Sequence, residues 1–219
     1  MKPDVHVTVI AKAPVPGRVK TRLCPPCTPE QAADLAAAAL LDTLDAVRSA
    51  TWATSVRRVL LLDGTPPSWI PDDYDIVGQR GDSLADRLAN GFSALGPGLI
   101  LGMETPHAAT DLSAALSALC RGDDVIGPAL DGGYWAIGLG RVDERVFEGI
   151  EMSTSQTCAD QMARLGSLGR RVTTIHEARD IDTFDDVRAL AATDGWGRAT
   201  GLAKVLVTTI DNVRMEVIR

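Results

Sequence analysis

A doubly wound α/β fold, with a mainly parallel sheet and helices on both faces, is predicted by two features of the sequence. Short apolar, β-branched segments alternate with amphipathic helical patterns along the chain, which is the order from which parallel sheets are wound. The segments are also apolar on both sides: Val5, Val7 and Val9 lead into Ile10 and Ala11, as in an inner strand covered on both faces. At 219 residues and 45% hydrophobic content, the chain can bury one sizeable core, and a single domain is expected over residues 1–219.

The elements follow in order. After the first strand, Thr28-Pro-Glu-Gln31 supplies an N-cap, a proline at the first helical position and a glutamine able to close a capping box, so a helix is expected to run to about Ala50. Its buried stripe is Leu35, Leu40, Leu41, Leu44 and Val47. Arg58–Asp63 reads as a second buried strand and Tyr74–Gln79 as a short third one. Ser83 caps a helix reaching Leu95, and Leu99–Pro106 is a fourth strand that ends in a carboxylate and a proline. A helix from about Thr110 to Cys120, a strand over Asp124–Pro128 and the stretch Leu130–Gly138, a turn feeding a sixth strand, come next. Then follow a helix around Gln156–Leu165, a strand over Arg171–Ile175, and Thr183 capping a helix over Phe184–Ala192. The alternation Val213-Arg-Met-Glu-Val-Ile218 in the tail suggests an added strand or an interface, the latter compatible with a homodimer.

Charge limits the partners. With 22 basic and 29 acidic residues the net charge is −7, which argues against a nucleic acid or an anionic membrane and leaves room for a small anionic ligand at a local basic site. No run of about 18 apolar residues is present, and the amino terminus leads into a strand rather than a signal-peptide core, so a cytoplasmic location is expected. Cys24-Pro-Pro-Cys27 has redox or metal-pair spacing, but no second pair or nearby histidine completes a zinc site. Structural thiols in a reducing compartment and a regulatory disulfide are the two readings.

The most unusual stretch is the loop after the first strand. Lys12, Arg18, Lys20 and Arg22 fall within eleven residues, Pro14 and Pro16 restrict the backbone, and Gly17 permits a tight turn. Such a loop is either a solvated basic surface or a grip on a polyphosphate, and its contrast with an acidic chain favours the second. It is neither a Walker loop nor a G-x-G-x-x-G turn. Ligands of doubly wound sheets bind beyond the carboxyl ends of the strands, where Glu104, Asp131 and Asp182 are expected. Carboxylates facing phosphates suit Mg²⁺ (or Mn²⁺). Equally, Asp131 before Gly132-Gly133 could form a turn, and Asp180 and Asp182 could charge a helix N-terminus. His107 reads as a general base, a substrate contact or a plain surface histidine.

Four segments in order carry a resemblance: Lys12-Ala-Pro-x-x-Gly17-x-x-Lys20-Thr-Arg-Leu23, Gly102-x-Glu-x-Pro106, Gly127-Pro-Ala-x-Asp-Gly-Gly-Tyr134 and Asp180-x-Asp-Thr-x-x-Asp186. Over about residues 5–193, leaving 194–219 as an extension, the chain resembles the GT-A-type nucleotide-diphospho-sugar transferases. More narrowly, it resembles the bacterial radical-SAM/selenodomain-associated branch, which is similar to the molybdenum-cofactor nucleotidyltransferases and 2-phospholactate guanylyltransferase. The resemblance implies that Lys12, Pro14, Gly17, Lys20, Thr21 and Arg22 hold nucleotide phosphates, with Lys20, Arg22 and Asp131 at the chemistry. Glu104 and Asp182 would be metal ligands, and Asp131, Gly132, Gly133, Tyr134, Ser153 and Thr154 would line the acceptor pocket. The chain departs from the usual pattern where Glu104 replaces an aspartate, where Met103 and His107 replace small, polar or acidic residues, and where Met152 replaces a tryptophan. The expected activity is Mg²⁺-dependent nucleotidyl transfer from a nucleoside triphosphate to a small phosphate or hydroxyl acceptor. Glycosyl transfer from a nucleotide-sugar and non-catalytic nucleotide binding are the alternatives.

Overall fold

The computed structural model describes residues 5–105, 111–195 and 197–217. Its strands are β1 (His6–Lys12), β2 (Arg57–Asp63), β3 (Asp75–Gly78), β4 (Gly98–Gly102), β5 (Asp124–Pro128), β6 (Tyr134–Leu139) and β7 (Val172–Thr174). The helices are α1 (Pro29–Thr51), α2 (Leu84–Leu95), α3 (Leu112–Cys120), α4 (Thr157–Ser167), α5 (Phe184–Ala191) and α6 (Arg198–Val217). The strands join in one sheet, ordered β3-β2-β1-β4-β6-β5-β7. Neighbours are parallel except β6, which runs against both β4 and β5.

The inversion of β6 has a local cause. Only five residues separate it from β5, too few for the crossover a parallel pair needs. They close a tight turn in which Gly132 takes the left-handed φ of 89°, its N–H donates to Ala129 O at 3.0 Å, and Asp131 Oδ1 accepts from Gly133 N at 2.8 Å.

Helices cover both faces as expected. On one face α1 and α3 bury Leu40, Leu44, Val47, Leu112 and Leu119 against Val7, Val9, Leu60 and Leu99. On the other, Leu88 and Phe92 of α2 and Leu165 of α4 pack on Ile100, Ile137 and Leu139. The capping boxes at Thr28/Gln31 and Ser83/Asp86 are formed. Two expectations about the elements change. β4 stops at Gly102, and Glu104 sits in the turn beyond it; Pro106, His107 and the expected helix start at Thr110 lie outside the described residues. The tail is helical through Val217 rather than an added strand. Its earlier residues Ala199, Ala203, Leu206 and Ile210 recur at helical spacing and pack against Leu35 and Ala39 of α1 and Val187 of α5, and that burial overrides the short terminal alternation.

Two polar devices secure the amino-end edge of the sheet, away from the strands' carboxyl ends. His6, 1% exposed, has Nε2 3.1 Å from Gly96 O and Nδ1 2.7 Å from Thr8 Oγ1. A proton on Nε2 with Nδ1 accepting from the threonine satisfies both, so the ring is housed as the neutral imidazole. At the far side, Asp124 and Arg170, 1% and 6% exposed in their side chains, form a fork-like pair that also engages Gly140 N and Arg141 O.

Burial lowers the His6 pKa from 6.5 to about 4. A lowered folded-state value means that stability is fully present above pH 6.5 and drains as pH falls towards 4. By linkage the loss attributable to His6 reaches roughly 2 kcal/mol at about pH 5. Urea unfolding at about pH 7 and about pH 5 should show this loss, and a His6→Gln variant should show a correspondingly shallower pH dependence. Replacing Arg170 with alanine strands a buried carboxylate and should cost about 3–5 kcal/mol in the same assay at neutral pH.

Candidate functional site

The site grows from the carboxyl end of β1. Past Lys12 the chain turns at Gly17 (φ 74°) and reaches Lys20, a non-glycine residue in left-handed conformation (φ 50°, ψ 36°) that starts a single 3₁₀ turn over Thr21–Leu23. Leu23 is fully buried with Cys27, Ile181 and residues of α1 and α6, and Cys27 N donates to its carbonyl at 2.9 Å. That anchor fixes the end of the loop, and the left-handed residue before it turns the lysine side chain inwards. Strained backbone of this kind persists where surrounding structure over-determines it. Ser153 (φ 63°), across the site, is the other non-glycine residue in this region of φ among the described residues.

The Lys20 ammonium, with its side chain 5% exposed, donates to Ile181 O, pairs with Glu104 Oε2 and lies 3.8 Å from Asp182 Oδ1. Arg22 pairs with the second Asp182 oxygen. Three distant segments therefore meet at one cation. Glu104 is held there by its neighbours: Met103 is buried and its carbonyl accepts from Thr43 Oγ1 at 3.0 Å, while Thr105 is buried with its hydroxyl 3.3 Å from Gly102 O. On the other side, Asp186 accepts from the backbone N–H groups of Asp182 and Thr183 and fastens the start of α5.

These groups line a cleft of about 580 Å³ over the carboxyl ends of β1 and β4 and the start of the inverted β6. Of the residues singled out in the sequence, Lys12, Lys20, Thr21, Arg22, Glu104, Tyr134, Ser153 and Asp182 line it; Pro14, Gly17, Asp131, Gly132, Gly133 and Thr154 do not. Asp131 makes the β5–β6 turn, the simpler of its two readings. Gly132 is required there because a side chain would collide with the backbone of Ser155. Thr154 caps the approach to α4, its hydroxyl accepting from Gln156 N at 3.2 Å. Met152 packs beside Tyr134, whose hydroxyl is 3.5 Å from its sulfur. Cys24 and Cys27 are free thiols, and burial raises the pKa of Cys27.

Arg18, the remaining cation of the basic loop, joins the cationic side, and among the described residues neither it nor Lys12 is ion-paired. The cleft also contains groups to which the sequence analysis gave no role. Gln79, Asp82 and Arg87 form the far wall. There the Gln79 amide donates to Ala11 O and Leu61 O at 2.7 and 2.9 Å, while Arg87 Nη1 reaches Gln79 Oε1 and Asp63 Oδ2, each at 3.0 Å. Asp180 also lines the cleft, with its pKa pushed up to about 7 by burial first and then by the charges of Glu104 and Asp131; Lys20 opposes the shift and Asp182 adds to it. Burial likewise raises the Glu104 carboxyl against the pull of Lys20. The Asp180-x-Asp182 spacing was the available signal for Asp180, obscured because the same residues serve to charge a helix start.

Three carboxyl groups, Glu104, Asp180 and Asp182, thus share the cleft with Lys20 and Arg22. The donors are hard oxygens, which suits a hard divalent cation that also takes phosphate oxygens. As the side chains stand they close on Lys20 and Arg22, and among the described residues no group of three or more His, Cys, Asp or Glu side chains converges as a metal site.

Comparison with solved structures extends the fold assignment. A protein from Desulfovibrio desulfuricans G20, provisionally assigned as a nucleotide-diphospho-sugar transferase, superposes with a TM-score of 0.82 at 20% identity, over 95% of this chain and 97% of its own. Rv0371c from Mycobacterium tuberculosis H37Rv gives 0.54 at 19% identity, over 86% and 99%. The 2-C-methyl-D-erythritol 4-phosphate cytidylyltransferase of Thermus thermophilus gives 0.51 at 15% identity, over 92% and 99%. The fold is therefore the GT-A, nucleotidyltransferase-like one. No curated protein matches the chain. The sequence profile of the family described as "Uncharacterized protein conserved in bacteria (DUF2064)" matches residues 33–154, from α1 through the Glu104 turn and the Asp131–Tyr134 hairpin to the Ser153 wall. Since that match takes in more than half of the chain, and with it Glu104, Tyr134 and Ser153 of the cleft, the protein belongs to the DUF2064 family.

Proposed function

We propose that the protein is a nucleotide-dependent transferase and, more narrowly, a Mg²⁺-dependent nucleotidyltransferase of the radical-SAM/selenodomain-associated branch. The observation that carries this reading is one cleft at the carboxyl ends of the sheet. It is lined both by Lys12 and Arg18, two cations without an ion-pair partner among the described residues, and by the carboxylates Glu104, Asp180 and Asp182. The cytidylyltransferase activity of a similarly folded protein supports it as analogy. The reading takes residues 1–219 as one transferase unit with α6 as its extension, acting in the cytoplasm on a small-molecule nucleotide and acceptor.

The triphosphate would lie along Lys12, Lys20, Thr21 and Arg22, and the acceptor near Tyr134, Ser153 and the Asp131 turn. An acceptor oxygen attacks the α-phosphorus, the bond from that phosphorus to the β-phosphate bridging oxygen breaks, and pyrophosphate leaves. Lys20 and Arg22 hold the phosphates in line and offset the charge that develops on the leaving group, which is the main work a protein does in such a transfer. Glu104 and Asp182, with phosphate oxygens, would hold Mg²⁺, which when bound adds further charge neutralisation there. The provisional assignment of the Desulfovibrio protein favours a second reading, glycosyl transfer from a nucleotide-sugar at the same phosphate site.

A thermal-shift panel of nucleoside triphosphates and nucleotide-sugars, each with and without Mg²⁺, separates the two. A nucleotidyltransferase should respond to one triphosphate with Mg²⁺, gaining about 2.7 kcal/mol at about 100 times the dissociation constant. Response to a nucleotide-sugar alone would favour glycosyl transfer, and no response to any of them would defeat the nucleotide site. Lys12→Ala should weaken triphosphate binding by about tenfold, the value of one charge-assisted contact, with little change in intrinsic stability. Glu104→Gln should remove the Mg²⁺-dependent part of the shift, and a variant retaining it would exclude Glu104 as a ligand.

A further inference from the structure

Resting on the metal reading above, we infer that Lys20 is the resident counter-ion of the metal carboxylates, so that a divalent cation enters only in company with a phosphate chain that draws the lysine away. The ammonium lies among Glu104 Oε2, Asp182 Oδ1 and the Ile181 carbonyl, the three oxygens that face it. Its burial and its left-handed backbone make this a built position rather than one pose of a surface side chain. Arg22 occupies the second Asp182 oxygen and completes the closure.

A divalent ion approaching the same oxygens meets a unit positive charge at contact range in a partly desolvated setting, where repulsion is far stronger than in water. For the metal alone, the attraction of Glu104 and Asp182 is already taken up by Lys20 and Arg22, and the ion brings neither cation a new acceptor. With a triphosphate in the cleft the balance reverses: the phosphates offer Lys20 and Arg22 new acceptors, the freed Glu104 and Asp182 present two carboxylates, and phosphate oxygens complete the shell. Lys20 therefore has two positions, one on the carboxylates and one on the phosphates. It acts on metal binding as a gate as well as on the nucleotide as a contact.

The test is Mn²⁺ binding to the full chain, read by water-proton relaxation enhancement. It is run with Mn²⁺ alone and with Mn²⁺ plus inorganic tripolyphosphate, which supplies a phosphate chain and no base. Wild type should show no binding of Mn²⁺ alone and clear enhancement with tripolyphosphate. Lys20→Gln, which removes the charge and keeps a polar side chain, should bind Mn²⁺ alone at least about tenfold more tightly than wild type. Adding Glu104→Gln to it should abolish that gain. Wild type binding Mn²⁺ alone as tightly as Lys20→Gln, with the tripolyphosphate complex also bound, would overturn the gate and leave the metal site intact. Folded wild type and folded Lys20→Gln that bind Mn²⁺ under neither condition would overturn the metal reading itself. Should Lys20→Gln not fold, wild type alone still decides: equal Mn²⁺ affinity with and without tripolyphosphate refutes the gate.

Discussion

The arrangement of the site depends on a single ammonium group. Lys20 draws together the turn after β4, the segment before α5 and its own loop, three pieces of chain that lie far apart in sequence. Without that charge, Glu104, Asp180 and Asp182 would repel one another in partly desolvated surroundings, and the three segments would have no common partner. The fold prepares for this meeting by apolar means. Leu23, Met103 and Ile181 are each buried close in sequence to a charged group of the cluster, so the backbone positions are fixed by packing before the charges engage.

Most of this framework was legible in the sequence, because the strands are short, β-branched and separated by helices with clear caps at Thr28, Ser83 and Thr183. The basic loop and the late acidic pair could be recognised from charge contrast and spacing. What the sequence could not convey is which charged residues share a cavity. Asp131 stands at a strand end like Glu104, yet one of its oxygens closes the β5–β6 turn on Gly133 N and its side chain does not line the cleft, a distinction made by backbone geometry. Gln79 and Asp82 reach the cleft from the segment after β3 and Arg87 from the first turn of α2, positions set by the packing of the sheet, so no local pattern marks them. The tail misled because its final alternation is shorter than the helical repeat that precedes it and governs it.

Helix α1 links the two halves of this account. It is buried on opposite sides, Ala33, Ala36, Leu40 and Leu44 facing the sheet while Ala32, Leu35 and Ala39 face α5 and α6. Its alanine content follows from that position, since close approach on both sides leaves room for small residues only. The outer cluster includes Leu23 and Ile181, so the packing of α6 on α1 bears directly on the two loops that hold the Lys20 cluster.

The inverted strand divides the molecule's labour. To one side of β6, strands β1 to β4 carry the cationic loop, the Glu104 turn and the Gln79–Arg87 wall that follows β3; to the other, the β5–β6 hairpin and the segments around Ser153 and Asp180 form the opposite rim. The two sides meet along a seam, because a hairpin joins β6 to β5 while β6 only borrows its place beside β4 from the sheet. On the proposed transferase reading, the hairpin and the Ser153 segment could change, and with them the group received, without disturbing the basic loop assigned to the donor. That separability would let one scaffold serve different recipients with a single donor chemistry.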